Sequence, residues 1–234
     1  MKRKMCCLML LGISMLLINI IMIKFYENNM KKENEKMKTV MATIQQEGGA
    51  EKKIAITFDD GPHPEYTPQL LDGLSKRGVK ATFFVTGEAA EQNPEIVRRM
   101  HEEGHLIGNH TYSHLQLNAG NEDAFRQELI RTNEIIGELT GEEVPYVRPP
   151  YGSWNKQFEK ELNMIPVLWT IDPLDWCSGN ADCITRKVCE KAQENAIILM
   201  HDQYKSSVTA ALRIIDILTE EGYEFVTVEE ILFD

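Results

Sequence analysis

Two adjacent carboxylates, Asp59 and Asp60, follow the apolar run 53–58 and open a Gly61-Pro62 turn. Neighbouring acids repel, so such a pair needs a division of labour: one ligating a cation, the other handling protons. His110 and His114 are four residues apart in His110-Thr111-Tyr112-Ser113-His114. On a helical turn that spacing puts two imidazoles on one face, within reach of one ion. With Asp60 they make a two-histidine, one-carboxylate set that leaves room for water. That open pattern suits catalytic Zn²⁺, with Co²⁺ the alternative. An ion there would acidify a water, and Asp59 is the natural base to take its proton. Arg148 supplies a cation to pair with Asp59. His201 is the histidine placed to act as general acid, and Asp175 could orient it and stabilise its charge. Tyr151, in a Pro149-Pro150-Tyr151-Gly152 turn, offers a backbone N–H to a developing oxyanion. Trp176 and Leu199 would supply apolar walls, and a tryptophan suits the face of a sugar. The remaining histidines read as ordinary: His63 flanking the acid pair, His101 at a helix end, His105 at a strand edge.

These residues need elements to hold them. Strand-like runs cover 53–58, 80–85, 105–109, 145–148, 166–171, 196–200 and 224–227. Helical periodicity falls between them, over 68–76, 94–103, 121–139, 182–194 and 206–221, with Asn93 as a cap and Pro94 in the first helical position. Strands alternating with helices indicate an α/β protein with a parallel sheet or barrel. Each chemistry-bearing residue stands just past the end of a strand. In a parallel barrel those ends share one rim, where active sites are built.

The runs Thr57-Phe58-Asp59-Asp60-Gly61-Pro62, His110-Thr111-Tyr112-Ser113-His114, Arg148-Pro149-Pro150-Tyr151-Gly152, Asp172-Pro173-Leu174-Asp175-Trp176 and Ile198-Leu199-Met200-His201-Asp202 resemble, in order, the five motifs of the polysaccharide deacetylases (NodB homology domain, carbohydrate esterase family 4). The resemblance spans about residues 51–234. It implies a deformed (β/α)7 barrel and metal-dependent removal of acetyl groups from a glycan. It also implies Asp59 as base and Asp60, His110 and His114 as metal ligands. Arg148 would hold the base, the Tyr151 backbone would donate to the oxyanion, Asp175 would support His201 as acid, and Leu199 would line the acetyl pocket. Pro173 and the nearby cysteines depart from the family pattern and bear on loop shape and substrate choice.

Composition narrows the partners. Residues 51–234 carry 17 Lys+Arg against 32 Asp+Glu, a net −15, which argues against nucleic acid. Lys2-Arg3-Lys4 precedes an apolar run from Met5 to Ile23. As a helix that run spans about 28 Å, close to the hydrocarbon core of a bilayer. It has no small-residue cleavage site, so it reads as one N-terminal transmembrane helix, an uncleaved signal anchor. The expected order is a cytoplasmic tail (1–4), the anchor (5–23), a polar linker (24–50) and a catalytic domain (51–234) outside the cell. Of the five cysteines, Cys6 and Cys7 lie in the anchor. Cys177, Cys183 and Cys189 are an odd number, so at most one intrachain disulfide can form among them.

The expected protein is a single-pass cell-membrane deacetylase acting on N-acetylated, alternatively O-acetylated, sugars of an extracellular glycan. Peptidoglycan N-acetylglucosamine is favoured over chitin or xylan because the anchor faces the wall. A catalytically idle glycan-binding module is the rival, and a complete set of acid, base and metal ligands argues against it.

Overall fold

The computed structural model describes residues 52–233, together with Lys24, residues 30–32 and Lys36. The predicted anchor (5–23) and most of the linker lie outside the described residues, among which no helix is long and apolar enough to cross a membrane. The chain divides between Ala50 and Glu51 into two units, and the second, 51–234, carries every candidate site residue.

Strand β1 (Lys52–Asp59) is central to the sheet. It pairs in parallel with β2 (Thr82–Val85), β6 (Ala196–His201) and β7 (Tyr223–Phe225). Ile54 is in register with both β6 and β7, and Thr57 with both β6 and β2, so β7 and β2 share one edge of β1. From β2 the sheet continues through β3 (Leu106–Asn109) and β4 (Tyr146–Val147) to β5 (Ile165–Pro166), all parallel. The segment after β5 then turns to the other end of the sheet. Val167 donates to the Val147 carbonyl of β4, while Ile171 bridges Ile198 of β6. The parallel sheet therefore curls back on itself.

Alternation along β1 explains both faces. Ile54, Ile56 and Phe58 pack outward against α1 (Tyr66–Arg77), α6 (Ala181–Cys189) and α7 (Lys205–Glu220). Ala55 faces the other way, packing with Phe84, Tyr146, Val167 and Ile197. Thr57 and Asp59 share that face by the two-residue period of a strand. The inner face thus runs from apolar to charged as the strand approaches its C-terminal end.

The remaining helices are α2 (Gly87–Gln92), α3 (Pro94–Glu102), α4 (Glu122–Thr140), α5 (Gln157–Leu162) and α8 (Val228–Phe233). The sequence does not predict α2, α5 and α8, because six residues are too few for a 3.6-residue period to register. Three expectations are corrected. The strand expected over 166–171 pairs only at Ile165–Pro166 (β5), beyond which Ile171 makes just an isolated bridge to Ile198. The helix expected over 182–194 ends at Cys189, since the polar run Glu190–Asn195 offers only Ala192 to bury. Asn93 precedes α3 but does not cap it with its side chain; its amide instead donates to the carbonyls of Pro62 and Ala89.

Candidate active site

Parallel pairing delivers the five segments to one rim. Asp59 ends β1 and is in register with His201, which ends β6. His110 follows β3 and Arg148 follows β4. Asp175 begins a 3-10 turn, Asp175–Cys177, packed against β6. Asp59, Asp60, His110, His114, Tyr151, Trp176, Leu199 and His201 all line one cavity of about 420 Å³. Arg148 and Asp175 are buried just behind it.

Asp60 Oδ1 lies 3.3 Å from His110 Nε2 and 3.4 Å from His114 Nε2. Both distances exceed the 2.7–2.9 Å or so of a charge-assisted hydrogen bond. Oδ1 is buried and has no hydrogen-bond partner among the described residues. The three donor atoms lie within 4.8 Å of one another. A tetrahedral ion with bonds of about 2.1 Å holds its donors roughly 3.4 Å apart. An orphaned carboxylate oxygen facing two imidazoles at that spacing fits a divalent ion.

Electrostatics agree with that fit. Burial alone would raise the Asp60 carboxyl, but contact with His110 and the positive fields of His110, His114 and His201 hold it below its ordinary value. Burial lowers His114 against the pull of Asp60, favouring the neutral imidazole that ligates metals. His110 Nδ1 lies 2.6 Å from the Arg148 carbonyl. A carbonyl only accepts, so Nδ1 carries the proton and the Nε2 lone pair is left facing Asp60.

The expected helical turn between the two histidines is not there. Residues 110–114 form a loop in which Thr111 (φ 61°) and His114 (φ 59°) are left-handed, an uncommon conformation for residues with side chains. Asp60, Tyr151 and Leu174 are left-handed as well, so five such residues cluster at this rim.

Asp59 is 3% exposed, and Arg148 Nη1 donates to its Oδ1 at 2.8 Å. The fully buried guanidinium also donates to Thr57 Oγ1 (2.5 Å) and the Val167 carbonyl (3.1 Å), and lies over the Phe84 ring. On the other side of the cavity Asp175 holds His201 twice, through Nδ1 at 2.8 Å and the backbone N–H at 2.9 Å. Burial disfavours the charged ring, but the Asp175 hydrogen bond and charge, with Asp59 and Asp60 beyond, raise His201 to about 9. In the metal-free site these contacts favour the charged imidazolium at neutral pH.

Tyr151 (68% exposed) and Trp176 (54%) stand at the lip, and Leu199 is buried in the wall. The Tyr151 ring meets His114 edge-on at 4.9 Å. The other sequence candidates lie apart. His63 accepts from the backbone N–H groups of Glu65 and Tyr66 beside the start of α1. His101 sits in the last turn of α3. His105 is buried and accepts from the Ala81 N–H, and burial lowers it to about 4. Cys177, Cys183 and Cys189 are all free thiols.

Sequence reasoning missed several participants. Trp169 and Tyr204 line the cavity, as do Pro149, Asp172 and Leu174, which it placed only within motif stretches. It also missed Thr57, which the strand period places on the face of Asp59. Nothing in the sequence marks Tyr204.

Comparison with known proteins points the same way. The family model described as polysaccharide deacetylase matches residues 46–167, just over half the chain. The peptidoglycan-N-acetylglucosamine deacetylase PgdA of Listeria monocytogenes serotype 1/2a is 41% identical over 180 residues, 77% of this chain and 39% of that protein. A peptidoglycan-N-acetylglucosamine deacetylase of Bacillus cereus is 43% identical over 182 residues, 75% of this chain and 66% of that protein. The chain thus spans about two fifths of the Listeria protein's length. The solved structure of peptidoglycan deacetylase PdaC from Bacillus subtilis superimposes with a TM-score of 0.75 at 40% identity, covering 78% of this chain and 90% of that one. Motifs, parallel sheet, rim geometry and matched segment agree: this chain belongs to the polysaccharide deacetylase family.

Proposed function

We propose that this chain is a metal-dependent deacetylase that hydrolyses the N-acetyl group of N-acetylglucosamine in peptidoglycan. The observation that carries the reading is one cavity bordered by three convergent donor groups, a carboxylate paired with a buried arginine, and a histidine held protonated by a carboxylate.

Asp60, His110 and His114 would hold the ion, with Zn²⁺ the best match to the donor set and Co²⁺ the alternative. A bound divalent ion supplies Lewis acidity, polarising the acetyl carbonyl and acidifying an incoming water. Asp59, fixed by Arg148, takes that water's proton as its oxygen bonds to the carbonyl carbon. The backbone N–H of Tyr151 would donate to the oxyanion that develops. His201 then gives its proton to the sugar nitrogen as the C–N bond breaks, leaving acetate and a free amine. Asp175 keeps the imidazole oriented and charged until that step.

Leu199 suits the acetyl methyl group, and Trp176 and Tyr151 offer faces to the sugar. The relatives named as peptidoglycan-N-acetylglucosamine deacetylases favour N-acetylglucosamine as the sugar. The basic-flanked apolar run 5–23 supports a signal anchor holding a (β/α)7 barrel at the outer face of the cell membrane. The detergent-solubilised full chain should release acetate from N-acetylglucosamine oligomers, and EDTA should abolish release. Acetate release undiminished after complete metal removal would overturn the reading.

A further inference from the structure

The loop that carries His110 and His114 is strained, because two of its five residues are left-handed. Local bonds pin its ends, Asn109 Oδ1 accepting from the Thr111 N–H and Thr111 Oγ1 from the Leu115 N–H, but Tyr112 and Ser113 between them are held from outside the loop. On one side the first turn of α2 meets it: the N–H groups of Gly87 and Glu88 donate to the carbonyls of Thr111 and Tyr112, each at 3.0 Å. On the other side stands a single carboxylate, Glu128 of α4. Its Oε2 accepts from the Tyr112 N–H at 3.1 Å and the Ser113 N–H at 3.0 Å, and its Oε1 from the Ser113 hydroxyl at 2.6 Å.

We infer that Glu128 is a positioning residue for the metal centre: from 14 residues beyond His114, it clamps the loop so that both imidazole Nε2 atoms face Asp60 Oδ1. Two successive backbone N–H groups and a hydroxyl on one half-buried carboxylate give three bonds to two residues that lie between the ligands. Glu128 touches neither imidazole, so its effect passes through loop geometry. Groups that hydrogen-bond a ligand directly change metal affinity by about 10–100-fold when removed, and Glu128, one step further out, should lie near the lower end of that range. The inference rests on the metal reading above and is separable from it.

The test uses full-length chain stripped of metal with a chelator and titrated with Zn²⁺, and with Co²⁺ followed by its visible absorption. Glu128→Ala is expected to weaken Zn²⁺ binding about 10-fold and to alter the Co²⁺ band pattern. Glu128→Gln, which keeps one acceptor oxygen but not the charge, should fall between Glu128→Ala and wild type. If Glu128→Ala does not fold, the Gln variant decides by the same two readings. Glu138→Gln, an exposed glutamate of the same helix, should match wild type in both. Glu128 variants that bind Zn²⁺ within twofold of wild type with superimposable Co²⁺ spectra would overturn the clamp while leaving the metal site standing. So would an equal loss in Glu138→Gln, which would make the effect one of helix charge alone. Wild type that binds neither ion, like His110→Ala, would overturn the clamp and the metal reading together.

Discussion

The Arg148 carbonyl lies 2.6 Å from His110 Nδ1, while the Arg148 guanidinium reaches Asp59 at 2.8 Å. One residue at the end of β4 thus sets the tautomer of a candidate ligand with its backbone and the position of the candidate base with its side chain. The two functions are separable, because replacing the side chain leaves the carbonyl in place.

Arg148→Met should therefore keep metal and lose turnover. It strands Asp59 in a site where both partners are almost completely buried, and removing one partner of a buried pair costs about 3–5 kcal/mol. Chemical denaturation should show that loss, and calorimetric titration with Zn²⁺ should show affinity near wild type. A folded variant that had also lost the metal would mean that the side chain, not the carbonyl, supports His110.

Asp59 and His110 are neighbours in space, His110 Nε2 and Asp59 Oδ2 being 3.8 Å apart, yet their substitutions should separate. Asp59→Asn is expected to retain Zn²⁺ and lose roughly 10²–10⁴-fold in kcat, the range for a removed general base. His110→Ala should lose the metal itself. Metal analysis after dialysis, run beside the acetate assay, reads both. Tight zinc retention by His110→Ala would show that the ligand set is wrong.

The proposed acid, His201, must be protonated to act. With His201 raised to about 9, its charge persists through neutral pH and is lost as pH rises through that value. The rate should accordingly fall on the alkaline side. A bound dication opposes protonation of a nearby imidazole, so about 9 is an upper bound for that limb. In Asp175→Asn the burial penalty is no longer outweighed, and the alkaline limb of kcat/KM should move to lower pH. An unmoved limb would assign the titration to another group.

How much of this is readable in the chain varies with the physics. The acid pair is legible because a strand that turns from apolar to charged at its C-terminal end marks a rim. The Asp175–His201 and Arg148–Asp59 pairs are legible as charge complements once the strands are taken as parallel. The loop of His110 reads, wrongly, as a helical turn, since a four-residue spacing suits both a helix and a loop held open by left-handed residues. Glu128 gives no signal at all: on an amphipathic helix a glutamate bound to a distant loop looks like any solvated one. Tyr204 is silent for the same reason, as nothing local shows which way the residue before α7 faces.

Asp202, beside the proposed acid His201, should make the metal-free fold pH-sensitive. It is fully buried, accepts from the Thr67 hydroxyl, and leaves Oδ1 without a partner among the described residues. Burial raises its carboxyl to about 7, against the Thr67 bond. A raised folded value favours the protonated acid, so the stabilisation is complete below the unfolded value of 3.8 and is lost as pH rises through about 7. The full swing is at most on the order of 4 kcal/mol. Asp202→Asn should remove this slope, with the variant's Tm in metal-free protein gaining on wild type between pH 5.5 and 8. Parallel Tm curves would show that Asp202 does not titrate in that window.

Trp176 tests the reading of the cavity lip. At 54% exposure it contributes little to the core, so Trp176→Ala should change stability by no more than about 0.5 kcal/mol. Its ring lines the cavity beside Leu174, where a sugar face would stack before and during reaction alike. A contact equal in ground and transition states raises KM and leaves kcat alone. Losing an aromatic face worth about 0.5–1.5 kcal/mol beyond its buried area predicts a KM increase of roughly 2–12-fold on N-acetylglucosamine oligomers. A fall in kcat at unchanged KM would instead place Trp176 against the reacting group, acting through the adjacent Asp175 and its hold on His201.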